Sequence, residues 1–107
     1  MYRHSTRRLT FLLAVCVHGW AFAKVDFQKE VRPILSDACF HCHGNDRTTR
    51  MAGLRLDTKE GAFAKRAKGA AIVAGNAKAS LLVQRITSPV AARRMPPEYS
   101  HKVLSED

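Results

Sequence analysis

At 107 residues, 46% of them hydrophobic and 25% charged, the chain has material for one small domain and no more. A formal charge of +9 at pH 7 invites a polyanion as partner. Yet Lys24, Arg32, Arg47, Arg50, Arg55, Lys65, Arg66, Lys68, Arg85 and Arg94 are scattered without a dense block, which argues against nucleic acid and for a solvated basic surface.

Residues 1–23 read as a secretory leader. Arg3, Arg7 and Arg8 give a positive start, residues 9–17 are apolar and uncharged, and Ala21-Phe22-Ala23 has the small-x-small form of a cleavage site. The apolar run falls short of the roughly 20 residues a bilayer span requires, so the expectation is export to the periplasm with no integral span after cleavage; an uncleaved tether is the alternative. Cys16 sits inside the apolar run and reads as a small hydrophobe. Cleavage would leave residues 24–107, one domain of 84 residues, and removing the three leader arginines lowers the formal charge to +6.

The mature chain opens on Asp26, a suitable N-cap for a helix through Phe27, Val31, Ile34 and Leu35, which recur at helical intervals. Pro33 either kinks this helix or begins a new turn within it. The next residues, Cys39-Phe40-His41-Cys42-His43, carry the most specific signal in the chain. Two thiols three positions apart, followed at once by an imidazole, form the spacing that attaches haem through two thioethers while the histidine coordinates iron. On a helical turn or tight loop Cys39 and Cys42 project to one side, where they can meet one edge of a flat macrocycle. Zinc binding would want further ligands at comparable spacing, and a thiol redox pair would be expected after a strand in a βαβ pattern. These remain the alternatives.

Beyond His43, Gly44-Asn45-Asp46 marks a turn and residues 47–50 form a polar loop. Leu54 and Leu56 alternate with Arg55 and suggest extended chain. Asp57-Thr58-Lys59-Glu60 has capping spacing for a short helix near 58–66. The small residues between Gly69 and Gly75 suggest a loop folded against the cofactor. Asn76 is expected to cap a helix over 77–87 with Leu81, Leu82 and Ile86 on its apolar side, ended by Pro89. The expected architecture is all-α, with short helices and long loops around one haem. A domain this small needs a staple, which the haem would supply, and the haem-free chain is expected to fold poorly.

A second iron ligand is sought on the far side of the macrocycle. Met95, in Arg93-Arg94-Met95-Pro96-Pro97, lies 52 residues after His43, far enough for the chain to wrap around. Paired prolines hold its backbone extended, and a thioether ligand favours ferrous iron and a raised potential. His101, Met51 or an open position are the alternatives; an open position would suit a haem-based sensor or a module binding a small gas. Arg93 and Arg94 are candidates for pairing with haem propionates, with plain solvation as the competing reading.

These motifs, taken in order, resemble the planctomycete-type cytochrome c domain. The matching runs are Val25-Asp26-Phe27, Val31-Arg32-Pro33-Ile34-Leu35, Cys39-Phe40-His41-Cys42-His43-Gly44, Ala52-Gly53-Leu54-Arg55-Leu56-Asp57, Ala71-Ile72-Val73, Ser80-Leu81-Leu82 and Arg94-Met95-Pro96-Pro97. The resemblance implies a cytochrome c-like fold around one covalently held haem c, thioethers at Cys39 and Cys42, His43 as proximal ligand and Met95 as distal ligand. It departs at Ala74, where proline is common in the family. It also departs at the end, where a final helix packed across the first is expected but only Leu104-Ser105-Glu106-Asp107 remains. The domain, residues 24–107, is therefore expected to be truncated at its C-terminus, and any enzymatic activity to lie in a lost downstream region. The implied function is single-electron transfer to a redox partner protein, which the basic surface suggests is acidic.

Overall fold

Asp26 organises the first turn. Its carboxylate accepts from the Gln28 and Lys29 N–H groups, and its own N–H donates to the Glu30 carboxylate at 2.6 Å. Asp26 as the cap is as the sequence predicts; the return bond to Glu30 is not, and the turn the cap opens, Phe27–Val31, is a wide π-helical one closed by the Arg32 N–H on the Phe27 carbonyl. Pro33 has no N–H to give and sits in the first turn of α1 (Arg32–Ala38), where none is required. Leu35 is buried, whereas Phe27 and Ile34 remain about half exposed.

The computed structural model describes Gly19 and residues 22–107. The expected leader therefore lies almost wholly outside the described residues. No helix among those described is long and apolar enough to cross a membrane.

Two further short α-helices follow, α2 (Lys59–Phe63) and α3 (Leu81–Ile86), with single 3-10 turns at Ala91–Arg93 and Glu98–Ser100. Among the described residues there is no strand, so the all-α, loop-rich class is as expected. The extended reading of Leu54 and Leu56 gives way to irregular chain, because their N–H groups are spent singly, on the Met51 carbonyl and the His43 carbonyl.

Both helix starts differ from expectation. Thr58 caps α2 by accepting from the Gly61 N–H at 3.1 Å, while Asp57 is drawn off into a forked pair with Arg55. That pairing holds the Asp57 carboxyl below its usual range. The helix ends at 63 rather than 66, since Ala64 takes up extended backbone with ψ 134°. In the last helix, Asn76 caps only a preceding turn, through the Ala79 N–H. The cap of α3 is Ser80, whose hydroxyl is buried against the Val73 N–H at 2.9 Å and the Asn76 carbonyl at 2.8 Å. These bonds pull Ser80 out of helical conformation and delay the helix to Leu81.

Loop and helices are cross-tied by backbone hydrogen bonds. Ile72 donates to the Ala62 carbonyl, and Leu81 and Leu82, at the otherwise orphaned start of α3, donate to Ala70 and Ala71. The core is correspondingly small: Leu56, Ala62 and Ala71, with Cys39, Phe40, Leu54, Ile72 and Leu82 against it. Residues 102–107 contain no helix, and Lys102 ties this end back to α1 through Asp37 at 2.8 Å.

Candidate functional site

The helical path of α1 does not stop at Ala38. Cys39 and Phe40 both donate to the Leu35 carbonyl, and His43 donates to the Cys39 carbonyl at 2.8 Å. The pentapeptide is therefore wound as one further turn, one of the two forms its spacing allows. Gly44 closes it. A Cβ there would fall well inside contact distance of the Phe40 carbonyl oxygen, so only glycine lets the chain leave the turn at this point.

Cys39 and Cys42 are unpaired and half-buried thiols. Burial pushes the Cys39 thiol up, which keeps it protonated. His43 is half-buried as well, and burial pushes its imidazole below the usual range; the Met51 carbonyl opposes this, and the charge of Arg66 adds to it. The ring is accordingly neutral at neutral pH. Its Nδ1 lies 3.3 Å from the Met51 carbonyl oxygen, which can only accept, so the proton is on Nδ1 and the lone pair on Nε2. This is the state in which an imidazole binds a metal.

A cavity of about 420 Å³ lies alongside. Cys39 and His43 line one side, Leu81, Leu82 and Ile86 of α3 line another, and Met95 also faces it. The Met95 N–H donates to the Arg85 carbonyl at 3.0 Å, so α3 both walls the cavity and hangs the methionine beside it. His43 and Met95, far apart in the chain, thus share one apolar chamber. His101 and Met51 do not line it: His101 ends a 3-10 turn at φ 55°, and the Met51 sulfur accepts from the Tyr99 hydroxyl.

Arg93 and Arg94 lie elsewhere. Arg94 forks onto the Ser88 and Pro89 carbonyls at 2.9 and 3.0 Å, bracing its own loop, and the Arg93 carbonyl accepts from Arg85. The cationic residues on the cavity are instead Arg66, Lys68 and Arg85. Sequence reading took these for solvated surface, because nothing in their spacing sets them apart. The Met51 carbonyl was equally illegible, since a backbone acceptor has no signature of its own.

The donor set suits a large, flat, mostly apolar group that carries a metal and some negative charge. One neutral imidazole and one thioether face an apolar chamber, the Cys39 thiol lines it while Cys42, on the same turn, does not, and cations line part of its wall. Among the described residues, no three His, Cys, Asp or Glu side chains converge as they would around a directly liganded metal ion.

The family model described as Planctomycete cytochrome C matches residues 39–99, more than half of the chain. No curated protein and no solved structure matches it. The chain belongs to the planctomycete cytochrome C family.

Proposed function

We propose that this planctomycete cytochrome C domain holds one haem, joined by thioethers to Cys39 and Cys42, and passes single electrons outside the cytoplasm. His43 and Met95 would hold its iron. The observation that carries this reading is that one apolar cavity takes both residues on its lining, although 52 positions separate them. When bound, the group supplies reversible exchange between ferric and ferrous iron.

The chain's own residues provide the rest. Met51 keeps the His43 proton on Nδ1, leaving Nε2 for the metal. Leu54, Leu56, Leu81 and Leu82 supply apolar walls, which favour the less charged ferrous state. Arg66, Lys68 and Arg85 offer cations to propionates, or to an acidic redox partner approaching the cavity mouth. Two protein ligands would leave the iron no position for substrate, which favours carriage of electrons over catalysis by the domain. The expected leader at residues 1–23 supports export to the periplasm.

The test is expression of the full chain with a haem-attachment system, followed by intact mass and visible spectra of the exported product. The expected result is loss of the leader, a gain of one haem, and a methionine-to-iron charge-transfer band that vanishes in Met95→Ala. A haem adduct whose spectrum ignores Met95→Ala would instead indicate an open distal position. A colourless product with both thiols alkylatable would sink the reading.

A further inference from the structure

Arg66 stands 13 residues from Gly53 and 14 from Ala52, yet its guanidinium donates to both carbonyls, to Gly53 at 3.2 Å and to Ala52 more closely. Those carbonyls belong to a tight turn. Leu54 N–H closes it on the Met51 carbonyl at 3.2 Å, and its two central residues both have positive φ, Ala52 at 54° and Gly53 at 59°. This is the signature of a type I′ turn, which asks for Gly or Asn at the position that Ala52 fills. An alanine in the left-handed region persists only where its surroundings hold it.

The same turn holds the histidine. The Met51 carbonyl that receives Leu54 also receives His43 Nδ1 at 3.3 Å. Its N–H is tied in turn to the Cys42 carbonyl at 2.7 Å. One side of the turn therefore grips the Cys42-His43 corner, and its central carbonyls are gripped by Arg66. Arg66 itself is partly buried and lines the cavity. Only a planar fork presents two parallel N–H donors to neighbouring carbonyls in this way; a lysine ammonium is a point charge.

We propose that Arg66 is a positioning residue for His43: it clamps the strained Ala52-Gly53 turn and so fixes the Met51 carbonyl that orients the ring and sets its strength as a metal ligand. The proposal rests on the haem reading above. Loosening the clamp weakens the Nδ1–H bond, makes the imidazole a poorer donor to iron, and favours the ferrous state.

The test uses holoprotein carrying Arg66→Lys, which keeps the charge and removes the fork. Solvent exchange of the His43 Nδ1–H, read by NMR in the ferrous protein, is expected to accelerate about tenfold, and the midpoint potential to rise. Adding Ala52→Gly, which relieves the positive-φ cost, is expected to restore both toward wild type. If Arg66→Lys does not accumulate as holoprotein, Arg66→Gln, whose amide cannot reproduce the fork, carries the same expectation for exchange; exchange alone is then read, because the lost positive charge by itself lowers the potential. Exchange and potential unmoved in the haem-bearing variant would overturn the role of Arg66. So would a change that Ala52→Gly fails to reverse, since the effect would then not run through the turn. Wild-type protein that takes up no haem would refute the earlier reading instead, so the two failures are distinct.

Discussion

Gly44 shows how little room the turn at 39–43 has. The residue is buried, and its α-carbon passes so close to the Phe40 carbonyl that any side chain must displace backbone. Backbone cannot yield as a flexible side chain does. Gly44→Ala is therefore expected to destabilise the holoprotein by about 1–3 kcal/mol, measured by urea unfolding. Because the displaced atoms belong to the turn that carries Cys39 and Cys42, the variant should also yield less haem-loaded protein on export. Unchanged stability and unchanged haem yield would mean that the turn has slack the geometry does not suggest. His41 makes the complementary point: it shares the pentapeptide but is exposed, and only its carbonyl is engaged, by the Thr49 hydroxyl.

At the scale of elements, each helix is too short to stand by itself. Isolated helices below about 12–15 residues are marginal in water, and α1, α2 and α3 have seven, five and six residues. What holds them is capping and cross-tying. Ser80 concentrates this: its hydroxyl is buried and bridges the 73–76 loop to the start of α3. Removing the oxygen leaves the Val73 N–H without its acceptor. Ser80→Ala should therefore cost about 1–3 kcal/mol, read as a lowered unfolding midpoint of the holoprotein. Since α3 carries the Arg85 carbonyl that anchors Met95, the same variant should weaken the methionine-to-iron band before the protein unfolds. A loss of stability with no spectral change would uncouple the loop from the methionine.

At the scale of the whole molecule, the buried hydrophobic set among the described residues is Leu35, Leu56, Ala62 and Ala71, two of the four being alanines. That is a thin core, and it lies against a cavity of comparable importance. Filling the cavity with an apolar group would extend the core through its middle and unite α3 with the turn at 39–43. The haem-free double variant Cys39→Ala/Cys42→Ala is expected to unfold with a stability below about 3 kcal/mol and a broad transition. The haem-bearing chain should unfold sharply at higher denaturant. Equal, sharp transitions for the two forms would show that the protein core suffices without the cofactor.

The class of fold, the thiol pair and the histidine beside it were legible in the primary structure, because each depends on chemistry local to a few residues. Asp26 as a cap, Pro33 in a first turn and the spacing of Cys39, Cys42 and His43 need no distant partner to be understood. Helix starts were less legible. Asp57 and Asn76 both have the composition of caps, yet Arg55 claims the first, and a loop four to seven residues before Ser80 moves the second helix start downstream. Met95 was already the candidate partner of His43 in the sequence, but its place on the same cavity, the Met51 carbonyl behind the imidazole, and Arg66 behind Met51 are visible only in the tertiary structure. Two of these three contacts end on backbone carbonyls, which every residue possesses, and only the folded chain determines which carbonyl arrives.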